Sequence, residues 1–122
     1  MEERKDNRLK GNKGESIAAR ELVKKGYEIL DTNFCRKGGE IDIIAKISDA
    51  VVFAEVKYRK SLENGAPCEA VDIRKQKRII ETAKKYIDEK NLYESSFRFD
   101  VIEILETDRI YMRHIENAFW EM

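Results

Sequence analysis

Residues 38–60, "GGEIDIIAKISDAVVFAEVKYRK", restrict the fold more than any other stretch of the chain. Ile41, Ile43, Ala45 and Ile47 alternate with Glu40, Asp42, Ile44 and Lys46; after a short polar break, Val52, Ala54, Val56 and Tyr58 alternate with Val51, Phe53, Glu55 and Lys57. A period of two is the signature of strands, and two such runs joined by a short break predict a β-hairpin. A two-residue turn at Ser48-Asp49 sets Ile43 opposite Ala54, Ala45 opposite Val52, Ile41 opposite Val56 and Asp42 opposite Glu55. A turn at Asp49-Ala50 sets Asp42 opposite Lys57 instead. Either register leaves one apolar face and puts Asp42, Glu55 and Lys57 together on the other.

Charges on a hairpin ordinarily form a solvated face with cross-strand ion pairs. Here Ile44 and Phe53 share the charged face, so it is expected to be partly covered, and partly covered carboxylates are candidates for a functional site. Two neighbouring carboxylates repel each other unless something compensates. Lys57 offsets one charge; a divalent cation offsets both. Hard oxygen donors without thiolate or imidazole suit Mg²⁺ or Mn²⁺.

The flanking sequence predicts the rest of an α/β domain. Residues 1–11 are polar and aperiodic, expected as a flexible basic arm ahead of a single domain over 12–122. A helix is expected from Lys13 to Lys25, with Glu15, Ala18, Ala19 and Leu22 on one stripe, Ile17 off it and Gly26 as the stop. "YEILDTNF" reads as a strand. A second helix is expected over 68–90, entered at Pro67, with Ile73, Gln76, Ile80, Ala83 and Ile87 at helical spacing. "FRFDVIEIL" and "IYMRHIE" read as two final strands. The resulting order is α-β-β-β-α-β-β.

With 122 residues the chain suits one core. Its 24 basic and 24 acidic residues cancel, so overall charge does not point to a polyanion. Basic residues nevertheless cluster at Arg4, Lys5, Arg8, Lys10 and Lys13, at Lys57, Arg59 and Lys60, and at Arg74, Lys75, Lys77 and Arg78. No apolar run approaches the roughly 20 residues of a membrane span, and the start lacks the apolar core of a secretion signal, so a cytoplasmic location is expected. Cys35 and Cys68 match no metal spacing and are expected as reduced thiols. His114, the one histidine, is expected to be structural; Asp100 repeats the acid-in-a-strand pattern of Asp42, and an ion pair with Arg98 or another base is an equal reading.

Asp42 followed by Glu55-Val56-Lys57 resembles the second half of the PD-(D/E)xK motif of restriction-endonuclease-like nucleases, with "ID" in place of "PD". Over nearly the whole chain after the arm, "GNKGESIAARELVKKGYEIL", "GGEIDIIA", "VVFAEVKYRK", "GAPCEAV", "FRFDVIEI" and "HIENAF" are together similar to the YraN-type family of small bacterial proteins. The layout is also similar to archaeal Holliday junction resolvases, in which an acid on the first helix joins the strand carboxylates; Glu15 occupies that place. The resemblance implies a central mixed sheet of about five strands flanked by helices. It implies Mg²⁺ or Mn²⁺ held by Asp42 and Glu55 with the Val56 carbonyl, Lys57 orienting the attacking water, and Glu15 holding a metal-bound water or a second metal. Lys75, Gln76, Arg59 and Lys13 are then candidates to contact nucleic acid.

The expected function is metal-dependent hydrolysis of phosphodiester bonds in DNA, with branched or structured DNA implied by the resolvase likeness and a homodimer expected to hold two duplex arms. The alternative is a non-catalytic module that uses the same scaffold to bind nucleic acid or a protein. No membrane partner is expected.

Overall fold

Helix α1 (Glu2–Lys24), strands β1 (Glu28–Arg36), β2 (Gly39–Ile47) and β3 (Ala50–Arg59), helix α2 (Ile73–Lys90) and strands β4 (Ser96–Glu106) and β5 (Ile110–Phe119) follow one another along the chain. The computed structural model describes the backbone of residues 2–60 and 71–120 and, within those ranges, the side chains from Lys13 onward. Five strands form one sheet in the order β1-β2-β3-β4-β5. Only β3 and β4 run parallel; the other neighbours are antiparallel. A parallel pair needs a crossover, and α2 lies in the connection between these two strands. The mixed five-stranded sheet with two helices, in the expected order, is consistent with an α/β nuclease-like fold.

The central hairpin adopts the first of the two possible registers. Ile43 faces Ala54, Ala45 faces Val52 and Ile47 faces Ala50, so the turn is at Ser48-Asp49 and the alternative turn does not occur. Ile43, Ala45, Val52 and Ala54 are buried beneath Ile17, Ala18 and Leu22 of α1, with Ile102 and Ile104 from β4. On the other face, Ile44, Val51, Phe53, Val101 and Phe99 pack with Ile79, Ile80, Ala83 and Tyr86 of α2. Rings reinforce this second layer: Phe53 stacks on Phe99 at 5.4 Å, and Phe99 on Phe119 at 5.3 Å.

Three sequence expectations are corrected by this packing. Ile17 is buried, although it lies off the expected stripe: a helix that approaches the sheet closely buries a face wide enough to include adjacent positions. In α2, Ile73 is 62% exposed while Ile79 and Tyr86 fill the core. The helix starts later than expected because Asp72 is its N-cap and accepts the Lys75 amide at 2.9 Å, which satisfies a first-turn donor. Helical backbone in α1 extends back to Glu2, ahead of the Lys13 start read from the apolar stripe, through Glu, Arg and Lys residues of good intrinsic helix propensity. Pro67 and Cys68 lie outside the described residues; Cys35 is exposed and not in a disulfide.

Asp100 is fully buried at an irregularity in the β4–β5 pairing. Its carboxylate accepts two bonds from Arg98 at 2.9 and 2.8 Å and the Asn117 amide at 2.9 Å, and it lies 2.6 Å from His114 Nε2. Arg98 also donates to the Tyr27 hydroxyl at 2.6 Å, so the network ties β4 and β5 to the entrance of β1. Of the two readings of Asp100 the structure shows the pairing with Arg98, and His114 joins the same network. Although burial works against the Asp100 anion, His114, Arg98 and the Asn117 amide outweigh it and hold its pKa below the usual carboxylate value.

Candidate metal and phosphate site

The strand alternation breaks at Asp42, and that break builds the site. Ile43 faces α1, whereas Ile41 joins Phe34 and Ile44 in the cluster on the α2 side, so the two do not share the continuous face expected from their spacing. The carboxylate of Asp42 takes the Val56 amide at 2.8 Å, a side-chain bond where a strand would otherwise use its backbone. This frees Asp42 to meet Glu15 of α1, while Glu55 on β3 is buried facing α2.

Close approach at Gly14 brings Glu15 into place. A Cβ at position 14 would lie 2.8 Å from Tyr58 Cβ and 3.2 Å from its Cγ, so only glycine lets this turn of α1 rest against β3. Gly14→Ala is expected to destabilise the protein by about 1–3 kcal/mol through overpacking. It should also weaken Mn²⁺ binding by moving Glu15 away from Asp42; urea unfolding and calorimetry check the two effects. Gly39 plays the same part opposite α2, where an added Cβ would press on Thr82 Oγ1 and come within 3.1 Å of the Arg78 carbonyl.

One carboxylate oxygen each from Glu15, Glu40 and Asp42 lie within 4.8 Å of one another. Oxygens sharing one divalent cation at about 2.0–2.6 Å each are separated by at most roughly 4–5 Å, so the three can converge on a single ion with little movement. Burial, then the charge of Glu55, push the Asp42 pKa up to about 8, with Glu15 and Glu40 adding to the effect. Burial also raises the pKa of Glu15, against hydrogen bonds with Asn33 and Asp42 that favour its anion. Both shifts favour the protonated acids while no cation is bound, and a bound cation would favour their anions. The second oxygen of Glu15, Oε2, is buried without a hydrogen-bond partner. An all-oxygen, charge-rich site with an unsatisfied buried acceptor fits Mg²⁺ or Mn²⁺.

Glu40, Asp42 and Glu55 line a cleft of about 560 Å³ whose far wall is α2, through Lys75, Arg78 and Ile79. Lys75 Nζ is 2.7 Å from Glu55 Oε1. Burial works against the Lys75 ammonium, but the hydrogen bond and charge of Glu55 outweigh it and raise its pKa.

Sequence reading anticipated part of this constellation. Glu15 and Asp42 converge, whereas Glu55 lines the cleft beside Asp42, paired with Lys75, and is not part of the oxygen triad; Glu40 completes that triad and was missed, although its spacing of two from Asp42 in "GGEID" marks it as a neighbour on the strand. Arg78 was noted only as a member of a basic cluster. Lys57 is half-buried on β3 and sits opposite Glu103 of β4, outside the residues lining the cleft. Gln76 does not reach the site: its Nε2 donates to the Val71 carbonyl at 2.7 Å, satisfying backbone at the entrance of α2. Lys13 is paired with Glu106 at 2.9 Å, beside Tyr58. Arg59 is half-buried near the end of β3, away from the cleft lining.

Comparison with known proteins places this sequence in a family. The model of the uncharacterised protein family UPF0102 matches residues 14–104, a span that holds Glu15, Glu40, Asp42, Glu55, Lys75 and Arg78. A UPF0102 protein of Clostridioides difficile is 46% identical, covering 93% of this chain and 99% of the relative. A UPF0102 protein of Clostridium acetobutylicum is 48% identical over 93% of this chain and 95% of the relative. One from Caldanaerobacter subterraneus is 47% identical over 89% and 93%. With a family model spanning most of its length and full-length relatives at this identity, the chain belongs to the UPF0102 family.

Proposed function

We propose that this chain is a metal-dependent nuclease that hydrolyses phosphodiester bonds in DNA, with branched or otherwise structured DNA as its substrate class. The observation that carries the reading is the oxygen triad of Glu15, Glu40 and Asp42, of which Glu40 and Asp42 line a cleft together with Lys75 and Arg78. Glu15, Glu40 and Asp42 would hold Mg²⁺ or Mn²⁺, with Glu55 across the cleft and the Val56 carbonyl as further oxygens. A bound ion supplies Lewis acidity toward the phosphate and lowers the pKa of water.

The chain's own groups do the rest. The Val56 amide fixes the direction of the Asp42 carboxylate. Arg78 offers a guanidinium for a phosphate oxygen on the α2 wall. Lys57, which the resemblance would have orient the water, lies outside the cleft lining and takes no part in this reading. A homodimer supplies the second binding surface that two duplex arms require.

The Lys75–Glu55 ion pair favours a second reading, because it partly neutralises the acids without a cation, as a scaffold that binds nucleic acid or protein without catalysis would need. Titration with Mn²⁺ and cleavage assays on nicked and four-way junction DNA separate the two. Millimolar Mn²⁺ is expected to bind wild type, to lose affinity at least tenfold with Glu15→Gln, and to support cleavage. Wild type that binds no Mn²⁺ and leaves every substrate intact overturns the nuclease reading.

A further inference from the structure

We propose that Lys75 is an exchangeable counterion: it holds the Glu55 carboxylate while the acidic cleft lacks a divalent cation, and transfers to a DNA phosphate when the cation takes over the charge of the acids. The proposal rests on the metal-dependent nuclease reading and deepens it by assigning the link between metal binding and substrate binding.

The two partners of the ion pair are unequal. Glu55 is anchored in the middle of the sheet with its side chain 7% exposed, whereas the side chain of Lys75 is 50% exposed in the first turn of α2. A lysine head on a flexible four-carbon stem can change partners without moving the helix, and a carboxylate locked in a strand cannot. The charge balance gives the exchange its direction. Glu40, Asp42 and Glu55 line the cleft with Glu15 beside them, against Lys75 and Arg78. A dication reduces the demand of the acids for an ammonium and raises the potential at the α2 wall, where an incoming phosphodiester needs a cation. Arg78 lies one helical turn from Lys75, so both cations can reach one backbone. The Lys75 ammonium keeps its proton in both positions because Glu55, and then phosphate, favours the charged form.

A permanent structural pin and an exchangeable counterion respond oppositely to loss of the charge. Lys75→Met keeps the stem and removes the ammonium. It is expected to tighten Mn²⁺ binding by about three- to tenfold in the absence of DNA, the scale of one half-exposed ion pair that no longer competes. Calorimetry with MnCl₂ on wild type and variant reads this, with thermal melts confirming that the variant is folded. If Lys75→Met melts below the working temperature, Lys75→Gln serves the same test.

Salt titration of duplex binding supplies an independent arm, with Ca²⁺ as a cation for oxygen sites. The salt slope should fall by about one in the variant when Ca²⁺ is present and stay unchanged when it is absent. Unchanged or weaker Mn²⁺ affinity in a folded variant overturns the exchange, as does a slope that falls equally with and without Ca²⁺. Wild type that binds no Mn²⁺ overturns the exchange and the metal reading together. Wild type that binds Mn²⁺, with no tightening in the variant, overturns the exchange alone.

Discussion

Asp42→Asn should abolish the proposed metal-dependent cleavage, by at least about a thousandfold, and yet raise the stability of the metal-free protein at alkaline pH. Asparagine keeps an oxygen for the Val56 amide, so the local backbone is preserved. What it removes is a carboxyl group whose pKa in the folded protein is about 8, well above its unfolded value near 3.8. A group with a raised folded pKa contributes its full stability below the unfolded value and loses it as pH rises through the folded one. Metal-free wild type should therefore lose stability between about pH 4 and pH 8, by a few kcal/mol at about 1.4 kcal/mol per unit. The variant should lack that slope. Mn²⁺ should restore wild-type stability most strongly at the alkaline end and do little for the variant. Thermal melts of both proteins over this pH range, with and without Mn²⁺, check the effect; identical slopes would show that Asp42 is not the group under strain.

Asp100→Ala should have the largest effect on stability, about 3–5 kcal/mol, because it leaves the buried ends of Arg98 and His114 and the Asn117 amide without their common acceptor. Against a typical stability of about 5–15 kcal/mol, this brings the protein close to unfolding at 37 °C. Urea denaturation of wild type and variant measures the difference. A second signature follows from the sign of the shift. The Asp100 pKa is depressed in the folded state, so its contribution is present above the unfolded value and is lost as pH falls through the folded one. Asp100→Ala should remove part of the acid limb of the stability profile, whereas Asp42→Asn removes the slope on the other side. These carboxylates sit in the same sheet and differ in what surrounds them: one is met by a guanidinium, an imidazole and an amide, the other by three more acids.

Much of the architecture was legible in local pattern. Period-two alternation specified β2 and β3 but left two turns open, because either keeps one apolar face; the structure adopts the turn at Ser48-Asp49. Alternation also anticipated that Asp42 and Glu55 would gather, but for an incomplete reason. The two line one cleft, and the alternation breaks at Asp42, where a carboxylate takes the place of a backbone partner and turns toward Glu15 and Glu40 instead. Glu40 was overlooked because an acid next to a turn ordinarily faces water. Gln76 was misplaced because helical spacing places a side chain on a face without revealing that an unsatisfied carbonyl, that of Val71, lies closer than the cleft.

The sequence by itself determined the order of elements and the presence of acids within apolar strands, since these depend on periodicities of two and 3.6 residues that any neighbour along the chain can reveal, whereas the choice between the two hairpin registers came from the structure. Tertiary structure alone decided which acids share a cation-sized space and which lysine faces them. Glu15, Glu40 and Asp42 come from different parts of the chain, and their meeting depends on how closely α1 settles at Gly14 and how β2 departs from regular pairing. Coulomb energy and desolvation vary with distances of a few ångströms, and those distances are set by packing between elements remote in sequence.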